Sequence, residues 1–326
     1  MVNVGLVGTG FVARRRADAL QADRRSRLLA VTGHNPADTT AFAQAYGITP
    51  IHHWSDLVAD PAIDLVIICH VNRDHGTVAL AALAAQKHVV VEYPLALEVT
   101  LGEQILALSK KQGRLLHVEH IELLGSTHRA LKANLPAIGT PTYARYATLS
   151  PQRPATKKWT YCPELFGFPL VGALSRIHRL VDSLGPVARV FGQNRYDGLY
   201  QGDDGLERYA TGLCTAQLTF TCGAIGEVIY AKGEGLWSPT RRLEIYGRGG
   251  QITLDGNQGE RIDAQGHHPI ALTSRQGLFA ADTTMVLDQL LEGKPLYVSP
   301  EASLYALRVA AAVQESAATG QAVAVE

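Results

Sequence analysis

The chain has 326 residues, of which 46% are hydrophobic and 18% charged, and its Lys plus Arg total equals its Asp plus Glu total. That length suits two domains of roughly 100–200 residues each, and balanced charge points to neither a nucleic-acid nor a membrane partner. Apolar runs such as residues 65–69 fall far short of the ~20 residues a membrane helix needs. A first strand starting within a few residues of Met1 leaves no room for a signal peptide. Cys69, Cys162, Cys214 and Cys222 fit no CxxC or zinc spacing. The expectation is a cytoplasmic protein with free thiols and no metal site.

In chain order, short apolar runs at residues 4–7, 28–31, 64–68, 88–91 and 115–118 alternate with Ala- and Leu-rich stretches of helical length, such as 77–86 and 102–112. Apolar strands alternating with helices predict a doubly wound parallel sheet with helices on both faces. The pattern changes near residue 120. A helix is expected at 123–134, then strands with period-two alternation. In 212–221, Cys214, Ala216, Leu218 and Phe220 point one way and Thr215, Gln217, Thr219 and Thr221 the other. Cys222-Gly223 turns the chain into a strand at 224–232. Further strands fit 142–149, 189–196, 242–246 and 251–254, and a final helix fits 302–316. The expected fold is a Rossmann domain over 1–120, then an α+β domain over 121–326 with an open, mainly antiparallel sheet.

Gly8-Thr9-Gly10-Phe11-Val12-Ala13 follows the first strand and opens a helix. The first glycine permits the tight turn, the second admits a pyrophosphate to the backbone, and the small Ala13 lets helix and strand pack closely. The helix N-terminus offers N–H groups to phosphate. The second strand ends Val31-Thr32-Gly33-His34-Asn35. An NAD site usually carries an acid here for the ribose hydroxyls. Gly33 stands in its place, so nothing repels a 2′-phosphate, and His34, Asn35 and one of Arg14, Arg15 or Arg16 are candidate donors to it. NADPH is the expected cofactor, with NADH weaker. The other reading of the three arginines is a solvated helix face.

This turn, together with Val71-Asn72-Arg73-Asp74-His75 and Glu92-Tyr93-Pro94, resembles the family of glucose–fructose oxidoreductases, inositol dehydrogenases and their relatives. That family typically reads TPNxxH and EKP at the latter two places. Asn72 and His75 match, Val71 replaces the proline, and Tyr93 stands where the catalytic lysine belongs. The family's DxGxH stretch corresponds to Leu174-Ser175-Arg176-Ile177-His178, in which only His178 remains. Without the Lys and the Asp, the group that takes a proton from a sugar hydroxyl is missing. Longer segments are similar to one branch of the family, the biliverdin reductases, and to the cyanobacterial type above all. They include EYPLAL from Glu92, HVEHIELL from His117, FGFPLV from Phe166, ALSRI from Ala173 and GKPLYV from Gly293.

The resemblance implies hydride transfer from NADPH to the central methine carbon of biliverdin IXα, a linear tetrapyrrole, giving bilirubin. It implies a monomer. It places Gly8, Thr9, Gly10, Phe11, Val12, Gly33, His34, Asn35, Val71, Asn72, His75, Glu92 and Tyr93 around the cofactor. It puts Arg176 beside the nicotinamide, to stabilise developing charge and hold a water or the substrate nitrogen, or else to clamp a propionate. Tyr93 and His120 are further catalytic candidates. Arg179, His117, His120, Trp159 and Lys232 are candidates for the substrate, with Lys157, Lys158, Arg275 and Tyr161 behind them. His117 and His120 have opposite parity, so they face one site only where the strand bends between them. The competing readings are an NADP-dependent sugar or polyol dehydrogenase and a non-catalytic NADP-binding regulator.

Overall fold

The computed structural model describes residues 1–325. They form two compact units. The first joins Met1–Ile121 to Gln276–Leu304, and the second joins Glu122–Arg275 to the residues from Tyr305 onward.

The first unit is built on six parallel strands: β1 (Val2–Val7), β2 (Ser26–Thr32), β3 (Thr49–Pro50), β4 (Leu65–Ile68), β5 (His88–Glu92) and β6 (Leu116–Glu119). They lie in the order β3-β2-β1-β4-β5-β6. The order reverses at β1, and ligands of such sheets bind beyond the strand ends at that switch point. Continuous apolar runs are what two-sided burial requires. All four residues of β4 are buried, as are Val89, Val90 and Val91 of β5. The crossovers are α1 (Phe11–Ala22), α2 (Pro36–Tyr46), α3 (Trp54–Ala59), α4 (Asn72–Ala84) and α5 (Val99–Gln112). The two-residue β3, too short to show a period, was not expected.

The division at residue 120 expected from the sequence is one of three places where the chain passes between units. The helix Leu278–Glu292 belongs to the first unit, not to the C-terminal one. Its Val286 and Leu287 share a core with Val4, Leu6, Ala13, Ala17 and Leu20. Burying two such side chains stabilises by ~1.5–3 kcal/mol each, which holds the segment there.

The second unit carries nine strands in the order β14-β13-β12-β11-β7-β10-β9-β8-β15. They are β7 (Pro141–Pro151), β8 (Val187–Gln201), β9 (Glu207–Phe220), β10 (Ile225–Gly233), β11 (Thr240–Gly247), β12 (Gly250–Asp255), β13 (Gln258–Asp263), β14 (Gly266–Ala271) and β15 (Val323–Ala324). Every neighbouring pair is antiparallel except β7 and β10. In β9 the expected alternation holds: Cys214, Ala216, Leu218 and Phe220 are buried and Gln217 is exposed. Gly223, with φ +87°, makes the turn into β10. The helix expected at 123–134 is broken at Gly125, which caps a shorter helix, Ser126–Asn134. The helix Ser175–Leu184 presents Arg176.

Candidate functional site

The turn after β1 is shaped for phosphate. Gly8 has φ +127°, and a Cβ there would sit 2.4 Å from the Cys69 carbonyl oxygen, so only glycine fits. A Cβ at Gly10 would meet nothing within 4 Å, which leaves the approach to α1 open. Gly10 caps α1 without a side-chain hydrogen bond, and the first turn has no acidic residue. The N–H groups and the positive end of the helix dipole are therefore available to an anion. Thr9 and Val12 are half-buried and Phe11 is exposed along this turn. These residues fit a dinucleotide pyrophosphate.

Beyond the ends of β1, β2 and β4 lies a cavity of about 450 Å³, walled by Gly33, His34, His52, His53, Trp54 and His70 among others. A Cβ on Gly33 would come within 2.7 Å of Thr9 Cγ2 and 2.9 Å of Thr39 Oγ1. The acid of an NAD site has no room there. Asn35 is otherwise engaged: its Oδ1 accepts from the N–H groups of Ala37 (2.8 Å) and Asp38 (3.3 Å), capping α2.

At the far side of the sheet, Glu92 ends β5 and Tyr93 follows it. The Tyr93 ring stacks on His120, with centroids 5.0 Å apart and planes 7° from parallel. Behind them runs a buried polar network. Arg16, fully buried, donates to Glu92 (3.0 and 3.2 Å), Thr283 (3.1 Å) and Asp282. Asp282 also binds His117 Nε2 (2.8 Å) and accepts from the Tyr297 hydroxyl (2.8 Å). The His120 N–H donates to Tyr297 Oη at 3.0 Å, and its Nε2 meets Ser303 Oγ at 2.8 Å. Burial disfavours a charged Asp282, but Arg16 and then His117 outweigh it and hold the carboxyl well below its usual range. Glu119 goes the other way. Burial, followed by the like charge of Glu92, pushes its pKa far up.

The second unit has the opposite balance. Glu122 accepts from Arg179 (3.1 Å), Arg241 (2.9 Å) and Arg275. Burial alone would raise its pKa, but Arg241, Arg179, Arg275 and Arg176 together hold it at about 2. From residue 169 to 180 only Arg176 is not buried. Its guanidinium lies 5.2 Å from the Tyr230 ring centroid. Lys232, two residues along β10, is 6% exposed and enclosed by aromatic rings. Its Nζ is 3.9 Å from the Phe166 centroid and 4.8 Å from that of Tyr161, and it donates to the Thr160 carbonyl. Burial, with a smaller push from Arg176, lowers its pKa to about 7.

Residues 2–120 match an oxidoreductase family with an NAD-binding Rossmann fold, and residues 136–325 match that family's C-terminal alpha/beta domain. The chain belongs to this GFO/IDH/MocA oxidoreductase family. It is similar to a biliverdin reductase from Synechocystis sp. PCC 6803 whose crystal structure holds biliverdin and NADP+. The identity is 46%, covering 97% of this chain and 99% of that one, with a TM-score of 0.93. Mouse biliverdin reductase A is 31% identical over 147 residues, 44% of this chain and 47% of the relative. An inositol 2-dehydrogenase from Acidothermus cellulolyticus is 30% identical over 164 residues, 49% of this chain and 48% of the relative. The chain thus spans about half the length of these curated relatives.

Within this oxidoreductase several expected site residues have other employment. His75 is fully buried. Its Nδ1 lies 2.8 Å from the Pro94 carbonyl and its Nε2 3.0 Å from that of His70, so it ties two loops together rather than facing a ligand. His117 is sealed against Asp282 and does not face a substrate. The strand does end between His117 and His120, and both side chains reach the returning segment 276–304. Arg179, 1% exposed, is held by Glu122 and by Tyr146 Oη at 2.8 Å. Lys232 is caged and Arg275 is paired with Glu122. Arg16 is neither solvated nor a phosphate ligand, while Arg14 lies over Phe42 and Arg15 over Phe11. Val71 precedes α4 as its cap and Asn72, buried, starts it. Trp159 is half-buried, 5.9 Å from Phe166.

Residues that the sequence reading missed are Asp282, Tyr297, Ser303 and Glu119, and the cavity residues His52, His53, Trp54 and His70. One signal existed. Ala13, Arg16, Ala17 and Leu20 form a buried stripe at helical spacing, and Asp282, Thr283, Val286 and Leu287 form another. Each places a charge on an apolar face, the pattern of a buried ion pair.

Proposed function

We propose that this oxidoreductase is an NADPH-dependent biliverdin reductase that reduces the central methine carbon of biliverdin IXα to give bilirubin. The observation that carries the reading is its 46% identity, across 97% of its length, to the protein solved with biliverdin and NADP+. The residues lend independent support. A polyol dehydrogenase needs a base for the hydroxyl proton. Tyr93 replaces the family's lysine, Leu174 is fully buried, and burial drives His178 down to about 4 while leaving it 1% exposed. The two groups that take a hydroxyl proton in the sugar-oxidising relatives are thus absent from their positions.

The cofactor, when bound, supplies the hydride. The Gly8–Gly10 turn and the start of α1 hold its pyrophosphate, and Gly33 leaves out the carboxylate that would repel a 2′-phosphate. In the second unit, Arg176 offers guanidinium N–H groups to a substrate whose propionates and lactam oxygens are acceptors. A guanidinium stays protonated at neutral pH. Arg176 therefore stabilises charge that develops on the tetrapyrrole and orients the water that protonates the pyrrole nitrogen. Tyr93, fixed by its stack on His120, lines the nicotinamide end of the cofactor site.

The test is a visible-absorbance time course with NADPH and biliverdin IXα, and with NADH in parallel. Loss of the blue-green band with growth of a yellow product, faster with NADPH, is the expected result. An unchanged spectrum from protein that still binds NADPH would overturn the reading, and turnover of inositol with NADP+ would replace it.

A further inference from the structure

Tyr93 and His120 follow the ends of β5 and β6, Tyr93 half-buried and His120 fully buried. Their near-parallel stack, 7° between planes, fixes the phenol only as well as the imidazole is itself fixed. A terminal torsion such as histidine χ2 has broad wells, so a further contact has to set the plane of that ring. The contact comes from the returning segment. Tyr297 Oη accepts from the His120 backbone N–H at 3.0 Å and donates to Asp282 Oδ1 at 2.8 Å, which anchors the main chain. The ring is held separately, by Ser303 Oγ at 2.8 Å from Nε2. Ser303 is 1% exposed and sits in the first turn of the helix Pro300–Thr319. Ser299 starts that helix, its Oγ accepting from the Ala302 N–H at 3.1 Å with Pro300 next in the chain. Capping falls to Ser299, and Ser303 gives its hydroxyl to His120.

A comparison with His117 shows what the hydroxyl provides. Both histidines are fully buried, and the same segment binds both through Nε2. His117 meets the carboxylate of Asp282, which when ionised only accepts, so that imidazole must carry a proton on Nε2. His120 meets a hydroxyl, which both donates and accepts. The Ser303 bond therefore survives whether or not Nε2 carries a proton. We propose that Ser303 is a positioning residue: through His120 it fixes the plane of the Tyr93 ring, and it does so in either protonation state of the imidazole. The proposal rests on the reductase reading above, in which Tyr93 lines the nicotinamide end of the cofactor site. Loss of the hydroxyl lets the imidazole turn and the phenol follow it. Misalignment beside the reacting atoms slows the chemical step far more than it weakens binding, so the loss appears in kcat and not in KM.

The test uses variants of the whole chain and two readouts. The first needs no substrate. In histidine nitrogen NMR, the resonances that vanish in His120→Ala belong to His120, and they should move in Ser303→Ala. The second is turnover of biliverdin with NADPH. In Ser303→Ala, kcat should fall about tenfold, the worth of one neutral hydrogen bond, with KM and NADPH affinity kept. Ser303→Cys fills nearly the same volume with a much weaker donor, so it should behave as Ser303→Ala does, and it carries both readouts where Ser303→Ala does not fold. In a His120→Ala background, Ser303→Ala should change kcat by less than about twofold. An equal loss in both backgrounds would show that Ser303 acts through something other than His120 and overturns the proposal. Wild-type behaviour of Ser303→Cys overturns it too, by assigning Ser303 to packing, as does an unmoved His120 resonance. Biliverdin left unreduced by the wild type would sink the reductase reading and leave this inference to the resonance. A working reductase whose His120 resonance and kcat ignore Ser303 would sink this inference alone.

Discussion

The buried charge cluster of the first unit and that of the second are mirror images in sign. Around Arg16 three carboxyl groups gather, Glu92, Glu119 and Asp282, with His117 alongside. Around Glu122 gather Arg179, Arg241 and Arg275, with Arg176 close enough to add its field. A low-dielectric interior does not tolerate an unbalanced charge, so each cluster relieves its surplus. The acid-rich cluster does so through Glu119, whose carboxyl is pushed towards its protonated form. The base-rich cluster cannot, because guanidinium does not deprotonate. Its surplus appears instead at Arg176, which stays partly exposed. The first cluster is a clasp that holds segment 276–304 on the Rossmann sheet. The second is a standing positive potential around Glu122.

The largest effect that sharpens this contrast belongs to the clasp. Asp282→Asn leaves buried Arg16 with Glu92 as its remaining ion-pair partner and takes the carboxylate from His117, and should cost about 3 kcal/mol, read as a lowered denaturation midpoint. A loss under ~1 kcal/mol would mean that apolar packing alone holds the segment. Next comes Arg176→Ala, which should leave NADPH affinity unchanged and cut biliverdin turnover by about 100-fold or more. Near-normal turnover would remove Arg176 from the chemistry and leave it a bystander of Glu122.

Lys232 gives an effect of intermediate size with a definite sign. Its folded pKa is lowered from 10.5 to about 7. Between those values the unfolded chain holds one more proton than the folded one, so stability rises with pH through that window and levels off outside it. Against Lys232→Met, which lacks the titration, the wild type should gain ~1.4 kcal/mol per pH unit from pH 7.5 to 9 in denaturant titrations. A constant difference would show that the aromatic rings keep the ammonium charged. The smallest effect should come from Glu119→Gln. If Glu119 carries a proton, the amide reproduces it, accepting from the Ile121 N–H and donating to Glu92. Stability at pH 7 should then change by less than about 1 kcal/mol, in contrast to Asp282→Asn. A loss as large as that of Asp282→Asn would mean Glu119 is ionised and the two clusters are not opposites.

The parallel sheet was legible because its strands are apolar on both faces, and β9 because it alternates. The glycines of the turn after β1 were legible too, since local backbone sterics demand them. At Gly33 the sequence shows a missing acid, but the side chains that crowd the position, Thr9 and Thr39, were not visible in the strand itself. His75, His117 and Arg179 were overvalued because their motif positions say nothing of what seals them.

The sequence by itself determined the fold class, the family, the phosphate-binding turn and the loss of the sugar-oxidising Lys and Asp, all of which depend on residues close together in the chain. Tertiary structure alone decided which charges are paired and which are left over. Arg16 meets Asp282 across 266 positions, Arg179 meets Glu122 across 57, and His34 lies beside His70 from the loops after two separate strands. Such partners share no periodicity, and whether a charge is spent or available depends on the partner it finds when the chain folds.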